Sequence, residues 1–477
     1  MKTSKAVGLI VGPILFGVLA FMPGELISTQ ADMVLAVAAW MLVWWVTEAV
    51  SISVTALLPL LLFPLLDVMP LAETGGYYGS PIVFLFFGGF VMALALEKVN
   101  LHRRIALTII RLTGTTPNRV VLGFMLATAS LSMWISNTAT TVVMLPIALS
   151  VIQLLVDDED GFTKRDRNFA LSVMLGIAFS ANAGGIATVI GTPPNSVLIG
   201  LLETEYNREI AFVDWMIVGL PFSATMIAII YTVLVFWMFP NKGLVFNTSR
   251  ELIDRELAAL GPLAKKERQV LWIFAVTVCL WVFRTVINGW LPNLGLTDTS
   301  ISIFAAITLF AFPSNFKKGD FILDWKDTSK LAWGILILFG GGLALAKGMS
   351  TSGIVDMVAA YIEQSDWSVL LTVSLLIALM LFMTELMSNV ALVAVLAPVV
   401  AGIAIGLEVP ILHVLIPVTM ASSCAFMLPM ATPPNAIVFA SGYIEVNQMA
   451  RVGIILNLIS IAVLILMYLT IIPMMFS

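Results

Sequence analysis

The chain has 477 residues, of which 60% are apolar and only 11% charged. A soluble domain carries about 25% charged residues, so the composition excludes an ordinary water-soluble fold and makes lipid the expected solvent. The net charge of −5 comes with no basic block for nucleic acid, and two histidines and two cysteines cannot furnish a His- or Cys-rich metal centre. No HExxH, GxSxG or P-loop motif occurs, which argues against an enzyme.

A membrane-crossing helix needs about 20 apolar residues. The first apolar run, about 6–23, follows Lys2 and Lys5 and lacks a small-residue cleavage site, so a retained first span is expected rather than a cleaved signal. Further spans are expected near 31–50, 51–67 and 82–97. Leu101 to Leu112 is amphipathic: Leu101, Ile105 and Ile109 share one helical face and His102, Arg103 and Arg104 start the other. It reads either as a helix lying in the membrane interface or as a span end with snorkelling arginines.

Two long apolar stretches follow. Val120 to Val156 is broken at Ser136-Asn137-Thr138, and Phe169 to Leu202 at Gly191-Thr192-Pro193-Pro194-Asn195; a charged loop, Asp157 to Asn168, separates them. A span at about 213–240 leads into a polar segment, Asn241 to Gln269, in which Leu252, Ile253, Leu257 and Leu260 have the spacing of a cytoplasmic surface helix. Spans near 270–289, 299–313 and 331–347 precede a recurrence of the earlier pattern. Ile354 to Ile362 is followed by a stretch broken at Ser388-Asn389-Val390, one broken at Ala431-Thr432-Pro433-Pro434-Asn435, and a last span to about 475.

The recurrence is in register. Gly88 and Gly340, Ser136 and Ser388, and Pro146 and Pro398 each lie 252 residues apart, whereas Thr192 and Thr432 lie 240 apart. The shortfall of 12 is the length of the charged loop Asp157 to Asn168, which has no second copy. If each Ser-Asn break is the tip of a re-entrant hairpin and the N-terminus is cytoplasmic, all but Arg208, Arg284 and Lys347 of the 24 basic residues fall on the cytoplasmic side, as the positive-inside rule requires. Five spans then separate equivalent points, and an odd number turns the second half upside down. Inverted repeats with helices broken at the membrane midplane characterise many secondary transporters.

The residue types at the breaks suit ions. Irregular backbone at membrane depth must be buried in protein or line a cavity. A helix restarting after a break presents free N–H groups and partial positive charge to an anion, while the half-helix before it ends in free carbonyls that suit a hard cation such as Na⁺. The Pro-Pro pair of each TPPN segment interrupts helical hydrogen bonding. A lone Ser-Asn in a membrane helix usually glues helices together; its repetition, each time followed by TPPN, points instead to a site. Gly88 and Gly340 read as close helix packing. Glu48 and Glu385, acids within apolar runs, are functional candidates, read here as structural partners rather than ligands; Met133 stands at the first-half position of Glu385. Arg284 reads as a cap at the outer face.

Met133-Trp134-Ile135-Ser136-Asn137-Thr138-Ala139-Thr140-Thr141, Met387-Ser388-Asn389-Val390-Ala391 and the two TPPN segments resemble the divalent anion/sodium symporter family, over nearly the whole chain. The resemblance implies an all-α polytopic protein of about 11 transmembrane helices plus two re-entrant hairpins (about 119–156 and 367–404), built as an inverted repeat and working as an elevator. The corresponding division is a first helix at 1–30, repeats at 31–240 and 270–477, and a cytoplasmic amphipathic linker at 241–269. A scaffold domain (about 1–113 and 213–363) would hold a homodimer, and a transport domain (about 119–202 and 367–477) would move.

Carried over by motif, one sodium site would use Ser132, Ser136, Asn137 and the backbone at Gly191. The other would use Thr384, Met387, Ser388, Asn389 and the backbone at Ala431. A dianionic substrate would meet Asn137, Thr138, Ser388, Asn389, Thr432 and Pro433. Val390 stands where many bacterial members have threonine, so its side chain cannot hydrogen-bond substrate. The expected function is import of C4-dicarboxylates (succinate, malate, fumarate) across the cell's inner (plasma) membrane with two or more sodium ions. A sodium-independent exchanger, or a citrate or sulfate carrier of the same fold, is the alternative.

Overall fold

The computed structural model describes residues 3–21, 28–114, 116–156, 163–241, 249–315, 317, 319–365 and 367–476. Lys2, Lys318, the first half of the charged loop (157–162) and the start of the linker (242–248) lie outside them.

The helices follow the apolar runs. α1 (Thr3–Ala20) packs against α2 (Thr29–Thr47). The third run splits into two short pieces, α3 (Ile52–Thr55) and α4 (Leu58–Leu65). No element was expected at α5 (Leu71–Tyr78), which precedes α6 (Pro81–Lys98). Glu48 proves to lie outside the apolar interior. It caps α2 in the left-handed conformation (φ 47°), its side chain is 74% exposed, and it lies 3.8 Å from Lys5 Nζ. It is a helix-end residue, not a buried acid.

Small residues set the close contacts here. Tyr78 Oη donates to Ala56 O at 2.5 Å, just after α3. α16 (Trp333–Thr351) crosses the same point: a Cβ on its Gly341 would lie 2.2 Å from Ala56 O, and one on Gly340 2.4 Å from the Tyr78 ring. Gly88 of α6 meets Ser302 of α15 (Asp298–Ala311) with equal closeness. The paired glycines are therefore packing devices, as read from the sequence. Gly341→Ala should cost about 1–3 kcal/mol, the usual penalty for overpacking against a backbone that cannot yield. Thermal unfolding in detergent should show a Tm several degrees lower.

α7 (Leu101–Thr113) is a separate helix, turned off α6 at Asn100 (φ 57°). Its arginines are paired within the protein. Arg104 makes a two-pronged contact with Glu267 (3.1 Å each) and reaches the carbonyls of Leu260 and Gly261; Arg103 pairs with Glu256 and Arg111 with Asp254. The linker helix α13 (Ser249–Ala259) thus docks on α7, which is a helix separate from α6 rather than the end of that span.

The hairpins and broken helices form as expected. α8 (Pro117–Ser132) and α9 (Asn137–Val156) make the first hairpin; α10 (Lys164–Gly185) and α11 (Pro193–Tyr206) flank the first TPPN break. α10 starts five residues before the apolar run because Thr163 and Asp166 form a reciprocal N-terminal cap. α12 (Phe212–Thr232) continues through a π-helical turn to Met238 and packs chiefly on α10, α8 and α22. α14 (Lys265–Trp290) and α15 come next, followed by a two-stranded hairpin, β1 (Pro313–Asn315) with β2 (Asp320–Phe321).

After α16, the recurrence runs through α17 (Ile354–Glu363), the second hairpin α18 (Val369–Thr384) and α19 (Asn389–Gly406), and the second broken helix α20 (Ile411–Ser422) and α21 (Pro433–Phe439). It closes with α22 (Val446–Leu469) and α23 (Ile471–Met475). Seven helical stretches among the described residues are long and apolar enough to cross a membrane, and one of them is α19, an arm of the second hairpin. Arg284 of α14, nearly buried, lies 2.5 Å from Glu209 and 3.3 Å from Asp298. It ties the loop before α12 to the start of α15, which fits its reading as a span-end cap.

Candidate functional site

Each hairpin tip places a hydroxyl, an amide and a carbonyl together. Ser132, the last residue of α8, has its Oγ 2.5 Å from Asn137 Oδ1 and 2.8 Å from the carbonyl oxygen of Ala181 in α10. The second half repeats this: Thr384 Oγ1 is 2.6 Å from Asn389 Oδ1 and 2.6 Å from Ser422 O, in α20. A hydroxyl has one proton to donate, and here two oxygens face it. Each cluster therefore holds one more oxygen than its proton can serve, a donor set that fits a hard, oxygen-seeking cation.

Gly191 closes the first cluster from the other side. A Cβ there would fall 2.4 Å from Gly185 O and 3.0 Å from Ser132 O, so the Gly191 backbone packs directly against that of Ser132. Ser136 caps the restarted helix by accepting from Ala139 N at 3.2 Å. Ser388 makes no such cap bond. Ala431 donates its N–H to Leu428 O at 3.1 Å, and Met387 is buried behind the tip. Ser136, Thr138 and Pro433 are exposed, while Asn137, Ser388 and Asn389 are half-buried. Thr432 is buried, and its hydroxyl already accepts from Asn182 Nδ2 (3.1 Å) and Asn435 N (3.4 Å).

The breaks themselves are held by residues that the sequence reading did not single out. The asparagine ending each TPPN segment is fully buried. Asn195 Nδ2 donates toward the carbonyls of Gly185 (3.4 Å), Ile186 (3.3 Å) and Thr188 (2.8 Å). Asn435 Nδ2 donates to Ala425 and Leu428 (3.1 Å each). Gly185 and Ala425, Thr188 and Leu428, and Asn195 and Asn435 are all 240 residues apart, so the two halves share this hydrogen-bond scheme and not only a motif. An asparagine at the same place in both apolar breaks was the available signal. Asn182 had none: it crosses from α10 to Thr432, Asn435 and Ala425 O and so links the two halves.

The halves differ in two respects. Trp134 at the first tip stacks on Phe212 and meets Phe274 edge-on, and Ile190 is buried. Their counterparts Leu386 and Met430 are 72% and 77% exposed. The brace between tip and break is also made by different chemistry. Thr188 Oγ1 donates to Met133 O at 2.5 Å in the first half, whereas Glu385 spans the gap in the second, accepting from the backbone of Phe426 (2.8 Å), Met427 (2.9 Å) and Leu428 (3.1 Å). Glu385 is thus a partner of the backbone, in line with its structural reading.

Two matched broken helices and two matched hairpin tips inside a nearly all-helical polytopic bundle define the architecture of a secondary transporter. Comparison with known proteins makes this specific. The family described as the sodium:sulfate symporter transmembrane region matches residues 3–477, and the chain belongs to that family of divalent anion/sodium symporters. The sodium-dependent dicarboxylate transporters SdcS of Staphylococcus saprophyticus and of Staphylococcus aureus are each 39% identical to it over 479 aligned positions, covering 99% of this chain and 92% of theirs.

The YdaH transporter of Alcanivorax borkumensis has a similar fold (TM-score 0.57, 12% identity, 83% of this chain and 86% of that one). So does MtrF of Neisseria gonorrhoeae, described as illuminating a class of antimetabolite efflux pumps (TM-score 0.53, 14% identity, 95% and 96%). The protein is a multi-pass membrane transporter, not an enzyme.

Proposed function

We propose that this protein imports C4-dicarboxylates such as succinate, malate or fumarate, driven by two or more sodium ions. The observation that carries the proposal is the duplicated hydroxyl–amide–carbonyl cluster, at Ser132, Asn137 and Ala181 and at Thr384, Asn389 and Ser422. The sodium and dicarboxylate named for the SdcS relatives support the same reading. Ser136, Gly191, Met387, Ser388 and Ala431 complete the two cation sites. Asn137, Thr138, Ser388, Asn389 and Pro433 receive the substrate carboxylates at the N-termini of α9, α19 and α21, with Thr432 fixed behind them.

Energetics require more than one cation. A dianion entering against an inside-negative potential of 100 mV costs about 4.6 kcal/mol, while each sodium ion entering down that potential and a tenfold gradient releases about 3.7 kcal/mol. One sodium is insufficient; two drive modest uptake and three strong accumulation.

The movement proposed is an elevator one, in a homodimer of the inner (plasma) membrane with the N-terminus cytoplasmic. α8 to α11 and α18 to α23 form the moving body; α12, which the sequence division put in the scaffold, is assigned to the moving body instead because its contacts are chiefly with α8, α10 and α22. The exposed Leu386 and Met430 support an access path at the second tip. Purified protein in liposomes should take up labelled succinate with an inward sodium gradient and not with potassium. Uptake indifferent to sodium rejects the coupling. Competition by unlabelled malate and fumarate, but not by citrate or sulfate, is the expected specificity.

A further inference from the structure

Asn182 of α10 is 1% exposed and lies against the second break. Its Nδ2 faces three acceptors: Ala425 O at 3.2 Å, Thr432 Oγ1 at 3.1 Å and Asn435 Oδ1 at 3.4 Å. Ala425 O is a carbonyl and can only accept, so the side of the amide turned toward it is the NH2. Asn435 cannot turn round either, because its own Nδ2 donates to Ala425 O and Leu428 O. The consequence falls on Thr432, which is 4% exposed. A hydroxyl has two lone pairs and one proton. Thr432 Oγ1 accepts from Asn182 Nδ2 and from Asn435 N, which occupies both lone pairs. Its proton is left to donate, and among the described residues nothing accepts it. A buried donor needs a partner, and the next residue, Pro433, is exposed.

The first half has no such arrangement. Thr192 makes no side-chain bond to the start of its helix. Asn195 Oδ1, the counterpart of the oxygen that faces Asn182, is buried without a hydrogen-bond partner. Ser422 stands 240 residues after Asn182, and its hydroxyl donates within its own helix, to Thr419 O, instead of reaching the first break. The hold of one half on the other's break therefore runs in one direction.

We propose that Asn182 is a positioning residue for the substrate. From the first half it fills the accepting side of Thr432 in the second, so that the Thr432 hydroxyl donates to a substrate carboxylate oxygen. An ionised carboxylate offers only acceptors, and a hydroxyl already committed to donation meets it without first turning. The two TPPN threonines are thus unequal: Thr432 takes part in the anion site and Thr192 does not.

The inference rests on the dicarboxylate reading above, and the test separates the two. It is a double-mutant cycle: succinate uptake by reconstituted wild type, N182A, T432V and the double variant, measured at saturating sodium. Valine keeps the shape of threonine and lacks the hydroxyl. N182A should raise the succinate KM about three- to tenfold, the scale of one hydrogen bond. T432V should raise it at least as much, and the double variant no more than T432V alone. The maximal rate and the sodium concentration for half-maximal uptake should stay within about twofold of wild type.

A wild type that takes up no succinate defeats the dicarboxylate reading itself. Where the wild type does take it up, an unchanged KM in N182A overturns the proposal. So do effects that multiply in the double variant, since a mere brace between the halves acts whether or not residue 432 carries a hydroxyl. Should N182A fail to fold, N182S carries the cycle. Serine already stands at the matching place of the second half, and its shorter side chain does not span to Thr432. The same rise in KM is expected, and the same two outcomes overturn the proposal.

Discussion

Replacing Asn137 or Asn389 by alanine is expected to lower sodium-driven uptake by roughly 100-fold or more, equivalent to about 2.8 kcal/mol, while leaving a folded protein. The amide oxygen is the surplus acceptor in each cluster. Without it, Ser132 Oγ still donates to Ala181 O and Thr384 Oγ1 to Ser422 O, so each hydroxyl remains satisfied. What disappears is the oxygen that the single proton could not serve, and with it the cation's place. The loss of one side-chain hydrogen bond costs only about 1 kcal/mol of stability, which a bundle this well packed tolerates. Uptake in proteoliposomes, with gel filtration to verify folding, decides the matter. Wild-type uptake in both variants would reject the site.

Gly191→Ala should be nearly as damaging, although its counterpart in the second half is already Ala431. The reason is local. A methyl group at 191 would lie 2.4 Å from Gly185 O and 3.0 Å from both Gly185 Cα and Ser132 O. All three are backbone atoms, so relief requires the break and the hairpin tip to move apart, at about 1–3 kcal/mol. That movement spreads the oxygens of the first cluster. Uptake should fall about 10- to 100-fold, with the sodium requirement raised and the Tm lowered by several degrees, as for Gly341→Ala. Ala431→Gly, by contrast, should leave uptake close to wild type, because Ala431 N–H→Leu428 O is a backbone bond that glycine keeps. Equal effects from the two substitutions would mean that the halves are not differentiated in this way.

Much of this site was legible as text. Ser136-Asn137 and Ser388-Asn389 declare themselves by interrupting apolar runs, and the TPPN segments by a proline pair that no continuous helix accommodates. The partners of those residues were not legible. Ala181 and Ser422 contribute carbonyls, and every residue has one, so sequence carries no mark of which carbonyl will be used. Asn182 and Asn457 lie within helical segments away from the motifs, where a single polar residue is ordinary interhelical glue. Glu48 and Glu385 looked alike as acids among apolar neighbours. One proved to cap a helix end beside Lys5, and the other to hold three backbone amides of the second break. α5 escaped notice because its eight residues include Gly75 and Gly76 and show no apolar period; packing against α16 and α4 makes it helical.

By itself the sequence determined the solvent, the helical class, the register of the two halves and the four places where helices must break. Each of these depends on local chemistry: apolar run length, proline geometry and the spacing of a repeated motif. Tertiary structure alone decided what those breaks are tied to. Thr188 reaches Met133 in one half and Glu385 reaches residues 426–428 in the other, across separations of 55 residues and of 41 to 43 residues. Buried donors and acceptors must find partners wherever the packed chain brings them. The same backbone scheme therefore recurs at matching positions with a neutral brace in one half and a charged one in the other.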